Sequence, residues 1–171
     1  MSVDPDLLET TRCLCLASRR AARAITRQFD RALRAHDIKA TQFTLLAALA
    51  LKGSQSISEL AEFIGAERTT LTRNLAVVEG HSHVSIRPGS DARSRVVSIT
   101  ANGRQTLRRA FPAWRKVQEG LTETIGQQAA DNLRQLSGGP SSYLREHQDR
   151  GRKSFDKLGA STESLSKEDT V

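Results

Sequence analysis

Two groups of side chains in this sequence have the types and spacing to recognise a polyanion. The first is Arg68-Thr69-Thr70-Leu71-Thr72-Arg73-Asn74, where guanidinium, hydroxyl and amide groups surround one leucine. Arginine can read guanine through two parallel hydrogen bonds and asparagine can read adenine. Threonine bonds a phosphate or touches a thymine methyl. The second group is Arg87, Arg93 and Arg95, crowded around a Pro-Gly-Ser-Asp turn in which Asp91 is the lone acid. Guanidinium groups at the tip of a small hairpin suit the narrow, strongly negative minor groove of duplex DNA. A solvated hairpin on a basic protein is the plain alternative. Asp91 is expected to orient a neighbouring arginine or close the turn, because an acid facing DNA would repel it.

Cys13 and Cys15 raise a second kind of chemistry. On one continuous helix they would point roughly 200° apart, which disfavours a mutual disulfide or a shared metal ion. Arg12 and Arg19 would flank Cys15 on its own side, and nearby cations favour the oxidisable thiolate. A small core cysteine is the competing expectation. His36, His81, His83 and His147 show no helical i, i+4 pairing, so no zinc site is expected. G-x-S-x-G, H-E-x-x-H and C-x-x-C are missing, and no Lys-Ser/Thr follows Gly138-Gly139-Pro140 to make a phosphate loop. Neither an enzyme nor a bound cofactor is expected.

The positioning elements must come from a chain of 171 residues, which fits one domain of about 150. Its 37% hydrophobic and 4% aromatic content suits packed helices better than a β-sandwich. The net charge is +7 and the pI about 10.1. Arg152, Lys153, Lys157 and Lys167 are balanced by Asp156, Glu163, Glu168 and Asp169, so the excess lies in residues 1–150. Such a body favours a polyanionic partner, nucleic acid before an anionic membrane. No apolar run approaches the ~18 residues of a membrane span, and no signal peptide is legible. A cytoplasmic protein in a reducing compartment is the expectation.

Periodicity predicts one long helix over Pro5 to Ala35. Leu14, Ala17, Ser18, Ala21, Ile25, Phe29 and Ala32 form its apolar stripe, opposite Arg12, Arg19, Arg20, Arg23, Arg27, Arg31 and Arg34. That arginine face is read first as solvated; an amphipathic membrane helix is the lesser alternative. Thr41 is expected to cap a second helix that stops at Lys52-Gly53. Ser56-Ile57-Ser58-Glu59 is a capping box opening a short helix that ends at Gly65, and another helix follows from Glu67 to about Glu79. Strands near 84–87 and 95–99 come next. A helix from Ala101 to about Gly126 is expected to kink or restart at Pro112. A last helix near 128–136 is cut at 137–140, resumes over 141–149, and precedes a disordered tail at 151–171. Two short helices joined at Gly65 form a helix-turn-helix candidate. Leu60, Ile64, Leu71, Leu75 and Val78 should face inward; Arg68, Thr69, Thr72 and Arg73, together with Thr70 and Asn74, should face outward.

In order along the chain, TLTRNLAVVE, the hairpin D-A-R-S-R and VVSITANGRQTL resemble the MarR family of winged-helix transcriptional regulators. The likeness extends through RRAARAITRQFDRAL, ATQFTLLAAL and PAWRKVQ, over roughly residues 10–125. It implies a mainly α fold with a small β-hairpin wing. A winged helix-turn-helix lobe (helix pair 56–79, wing 84–99) would sit on a helical dimerisation domain (5–35 and 101–149). It also implies a homodimeric repressor on a pseudo-palindromic DNA duplex, released by a small ligand or an oxidant. At the hinge, Phe29, Phe43 and nearby arginines would line an apolar pocket with a cationic end, suited to a small aromatic carboxylate. Cys15, beside Cys13, falls where the peroxide-sensing branch keeps its reactive cysteine, but Phe29 and Ala40 stand at the matching tyrosine places. His81-Ser82-His83 replaces the usual Gly-Leu, so His83 occupies a normally apolar position. A hydrogen-bonded substitution is expected there, against a proton- or metal-sensitive spot. The reading from a different class is a basic dimeric protein that binds nucleic acid without sequence selection.

Overall fold

The computed structural model describes residues 9–89 and 94–138. A short 3-10 turn at Glu9–Arg12 precedes α1 (Leu14–Leu33), and a second at Arg34–His36 leads to α2 (Ala40–Lys52). Then come β1 (Gln55–Ser56), α3 (Ile57–Ile64), α4 (Arg68–Gly80), β2 (Val84–Pro88), β3 (Arg95–Ile99), α5 (Ala101–Ile125) and α6 (Gln127–Leu136). The molecule is mainly helical, with one small antiparallel sheet in the order β1-β3-β2. Sequence patterning missed β1: two residues are too few to show alternation, and its strand character comes only from pairing Gln55 with Val97 and Ser56 with Val96.

Local chemistry sets several boundaries. Ser56 Oγ accepts the Glu59 N–H at 3.2 Å while the Glu59 carboxylate accepts the Ser56 N–H at 2.8 Å, closing the capping box that starts α3. Thr41 does not cap α2. That helix starts at Ala40, whose N–H is taken by Asp30 Oδ1 of α1 at 2.8 Å, while Gln42 Oε1 accepts the Lys39 N–H at 2.8 Å. Nor does Pro112 interrupt α5, which runs unbroken across it. Its ring forfeits one bond to the carbonyl of Arg108, but both residues are exposed, so water can serve that carbonyl. The first helix is shorter than expected: Cys13 is extended (φ −60°, ψ 119°) and stands at the N-cap of α1. The expected helix over 141–149 and the tail at 151–171 lie outside the described residues.

Phe43, Leu45, Leu46, Ala48 and Leu49 of α2 are all buried, which makes α2 the hub of the core. Leu60 of α3, Leu71, Leu75 and Val78 of α4, and Val97 of β3 belong to the same cluster. Trp114 of α5 stacks on Phe43 at 5.5 Å and on Phe29 at 6.2 Å between ring centroids, tying α1, α2 and α5 together. The apolar stripe of α1 divides in two. Ile25, Phe29 and Ala32 are partly buried, whereas Leu14, Ala17, Ser18 and Ala21 are exposed on the single chain.

Candidate nucleic-acid interface and adjoining cavity

The turn between α3 and α4 depends on Gly65, whose φ of 64° and ψ of 35° lie in the left-handed region. A Cβ there would meet nothing within 4 Å, so the backbone angle and not space calls for glycine. The Gly65 N–H donates to Glu62 O at 3.2 Å and the Ala66 N–H to Ala61 O at 2.9 Å, which closes the end of α3. Burial of Leu71, Leu75 and Val78 then fixes the rotation of α4. Arg68, Thr69, Thr70, Thr72 and Arg73 are left exposed, and Asn74 is half-buried. Thr72 Oγ1 donates back to Arg68 O at 2.8 Å.

β2 and β3 pair from Val84 with Ile99 to Pro88 with Arg95, and the Gly89 N–H donates to Ser94 O at 2.8 Å beyond the ladder. Arg87 and Arg95 are exposed at this far end. Asp91 and Arg93 lie outside the described residues. Arg68, Arg73, Arg87 and Arg95 have no acidic partner among the described residues.

Asn74 departs from the expected outward placement. Its Oδ1 accepts from Thr41 Oγ1 of α2 at 3.4 Å, and its Nδ2 donates to Thr70 O at 3.2 Å. It thus closes one side of a cavity of about 330 Å³ between α1, α2 and the helix pair. Ile25, Thr26 and Phe29 form the α1 wall and Ala40, Thr41, Thr44 and Leu45 the α2 wall; Ile64, Ala66, Thr70, Leu71 and Asn74 complete it. Thr26 and Thr44 spend their hydroxyl protons on Ala22 O and Ala40 O, which leaves Thr41, Thr70 and Asn74 as its outstanding polar groups. Among the described residues no arginine lines the space, so they do not supply the expected cationic end. Phe43 is not on the wall either; it is 3% exposed and held against Trp114. Sequence reading missed Ile25, Thr26, Thr41, Thr44 and Ile64 as lining residues. Threonines set among apolar helix positions were the available signal.

No protein-family sequence model matches the chain, and no curated protein sequence does. Solved structures match well. The M. tuberculosis transcriptional regulator MosR, crystallised with DNA, is 40% identical over 76% of this chain and 97% of its own, with a TM-score of 0.68. This chain belongs to the MarR family of winged-helix transcriptional regulators. The transcriptional repressor CouR, bound to a 23-mer duplex, is 25% identical over 80% of this chain and 96% of its own, with a TM-score of 0.66. E. coli MarR in its apo form shares the fold at 20% identity and a TM-score of 0.58, over 79% and 96% of the two chains. MarR-family members are regulators and not enzymes.

In this MarR-family chain both cysteines are exposed, so neither is a core residue of the single chain. Cys13 is not helical, and the angular separation expected of two helical cysteines does not apply. Among the described residues, no helix is long and apolar enough to cross a membrane, and no three His, Cys, Asp or Glu side chains group to hold a metal.

Proposed function

We propose that this MarR-family regulator binds a pseudo-palindromic DNA duplex as a homodimer and represses transcription. In this reading α4 enters the major groove and the β2–β3 wing reaches the adjacent minor groove. The carrying observation is the exposed set Arg68, Thr69, Thr72 and Arg73 on α4, followed directly by a hairpin whose far end holds exposed Arg87 and Arg95. Thr70 adds a hydroxyl at the helix start, and the sequence supplies a further arginine, Arg93, between the two strands. MosR, crystallised with DNA, and CouR, bound to a DNA duplex, support this reading.

Release follows from either of two events. A small aromatic ligand can enter the cavity, where it meets Thr41, Thr70 and Asn74 but no cation among the described residues, so an uncharged compound suits it better than a carboxylate. Such a ligand weakens DNA binding only by preferring one placement of the lobes over the other. Oxidation of exposed Cys15, with Cys13 beside it, by a peroxide is the second route: the thiolate takes one peroxide oxygen to become a sulfenic acid and the other leaves as water or an alcohol. Selection of bound duplexes from a random pool tests the central reading. Random DNA should compete on the order of 10³-fold less well than the selected site. Equal competition would leave a nucleic-acid binder without sequence selection.

A further inference from the structure

His83 holds a buried polar ring in the seam between the root of the wing and α5. It stands just before β2 and packs on α5, and it is 8% exposed. Its Nε2 lies 3.3 Å from Thr106 Oγ1 of α5, and Arg109 Nη2 donates to that same oxygen at 3.4 Å. Its Nδ1 is buried without a protein partner among the described residues. The expected plain hydrogen-bonded substitution therefore describes only one of its two nitrogens.

The backbone around the ring is tightly tied. His83 O accepts the Thr100 N–H at 3.0 Å, Ser82 O accepts from Thr100 Oγ1 at 2.7 Å, and His81 O accepts from Asn102 Nδ2 at 3.1 Å. At Gly103 a Cβ would stand 2.1 Å from His83 O, so the first turn of α5 presses directly on this backbone. The end of α4, the root of the wing and the start of α5 are locked at one place.

The charged and titratable groups facing the ring are few. His81, on the same turn, stacks at 5.7 Å between ring centroids, and Arg109 approaches from α5. β2 and β3 bring Val84 and Ile99, which carry no charge. Burial first, then His81 and Arg109, hold the His83 pKa below the ordinary histidine value. Thr106 Oγ1 can donate to an unprotonated Nε2 or accept from a protonated one, so the neutral ring is bonded at Nε2 in either tautomer. A ring protonated on both nitrogens leaves a buried Nδ1–H without a protein acceptor among the described residues and places an unpaired charge in the seam near Arg109.

We propose that His83 is a proton-operated latch between the winged-helix lobe and α5. The neutral ring keeps the seam closed; acidification opens it, shifts the lobe on α5 and releases DNA. The DNA readout rests on the function proposed above, whereas the proton dependence of the seam does not. The unfolded imidazole protonates near pH 6.5 and the folded ring only at lower pH. The stability owed to neutral His83 is therefore full above about pH 6.5 and is lost as pH falls below it.

The test uses the full chain at constant ionic strength, from about pH 7.5 to about pH 5.5. Histidine proton resonances, melting temperature and affinity for a selected duplex are followed in the native protein, His83→Leu, His83→Gln and His81→Gln. The His83 ring should titrate below pH 6.5, and native affinity should fall several-fold as pH drops through that range. The melting temperature should fall in parallel. Both trends should flatten in His83→Leu and persist in His81→Gln. His83→Gln keeps a partner for Thr106 without titrating, and supplies the same comparison should His83→Leu not fold. Equal acid losses in native protein and the His83 variants overturn the latch, as does a His83 ring titrating at or above pH 6.5. Should no variant bind DNA at any pH, the functional reading fails, and the resonances and melts still decide the latch.

Discussion

Arg73 and Asn74 are neighbours with opposite surroundings, because each helical residue turns the side chain by about 100°. Arg73 is exposed on α4, whereas Asn74 points toward α2 and meets Thr41. Under the proposed function Arg73 reads a base edge. Arg73→Ala should then cost about 1–3 kcal/mol on a selected duplex and relax preference at one base position. Arg87→Ala should weaken selected and random duplexes alike and lower the salt slope by about one phosphate contact. Titrations of both variants at several salt concentrations check this. Equal loss on the two duplexes for Arg73→Ala would make that residue a phosphate clamp.

Ser56 serves two elements at once, as the last residue of β1 and as the N-cap of α3. Ser56→Ala removes the acceptor for the Glu59 N–H, and should cost about 1 kcal/mol in urea unfolding. The side-chain bond to Ser56, and then the bond to its backbone N–H, hold the Glu59 pKa below the ordinary carboxylate range. A lowered folded pKa supports stability above the unfolded value and loses it as pH falls through the folded one. The difference between native protein and Ser56→Ala should therefore shrink in acid. An unchanged difference at low pH would show that the serine acts through β1 pairing and not through the capping box.

The protomer leaves apolar surface that its own core does not cover. Leu14 is 84% exposed and Leu136 86% exposed, and Leu16, Ile125 and Leu133 are also exposed. Two copies that cover these surfaces would set their α4 helices over half-sites one helical turn apart, about 34–36 Å. Light scattering at micromolar concentration should report a dimer. Leu133→Asp together with Leu136→Asp should dissociate it and reduce affinity for the palindromic site far more than for a half-site. A folded native monomer at that concentration would remove the basis for a palindromic operator.

Interactions reaching only a few residues were legible in the chain itself. The Ser56–Glu59 box, the left-handed Gly65, the inward spacing of Leu71, Leu75 and Val78, and the basic hairpin each depend on periodicity or turn chemistry within one turn or so. The outward placement of Arg68, Thr69, Thr72 and Arg73 follows from the same spacing. What only the tertiary structure decided lies at long sequence separation. Asn74 turns inward because Thr41, 33 positions away, receives it, and His83 finds Thr106 at a separation of 23. Phe43 leaves the cavity for the core because Trp114 of α5 stacks on it. Helical period says which side chains share a face, but it does not say which other helix that face will meet.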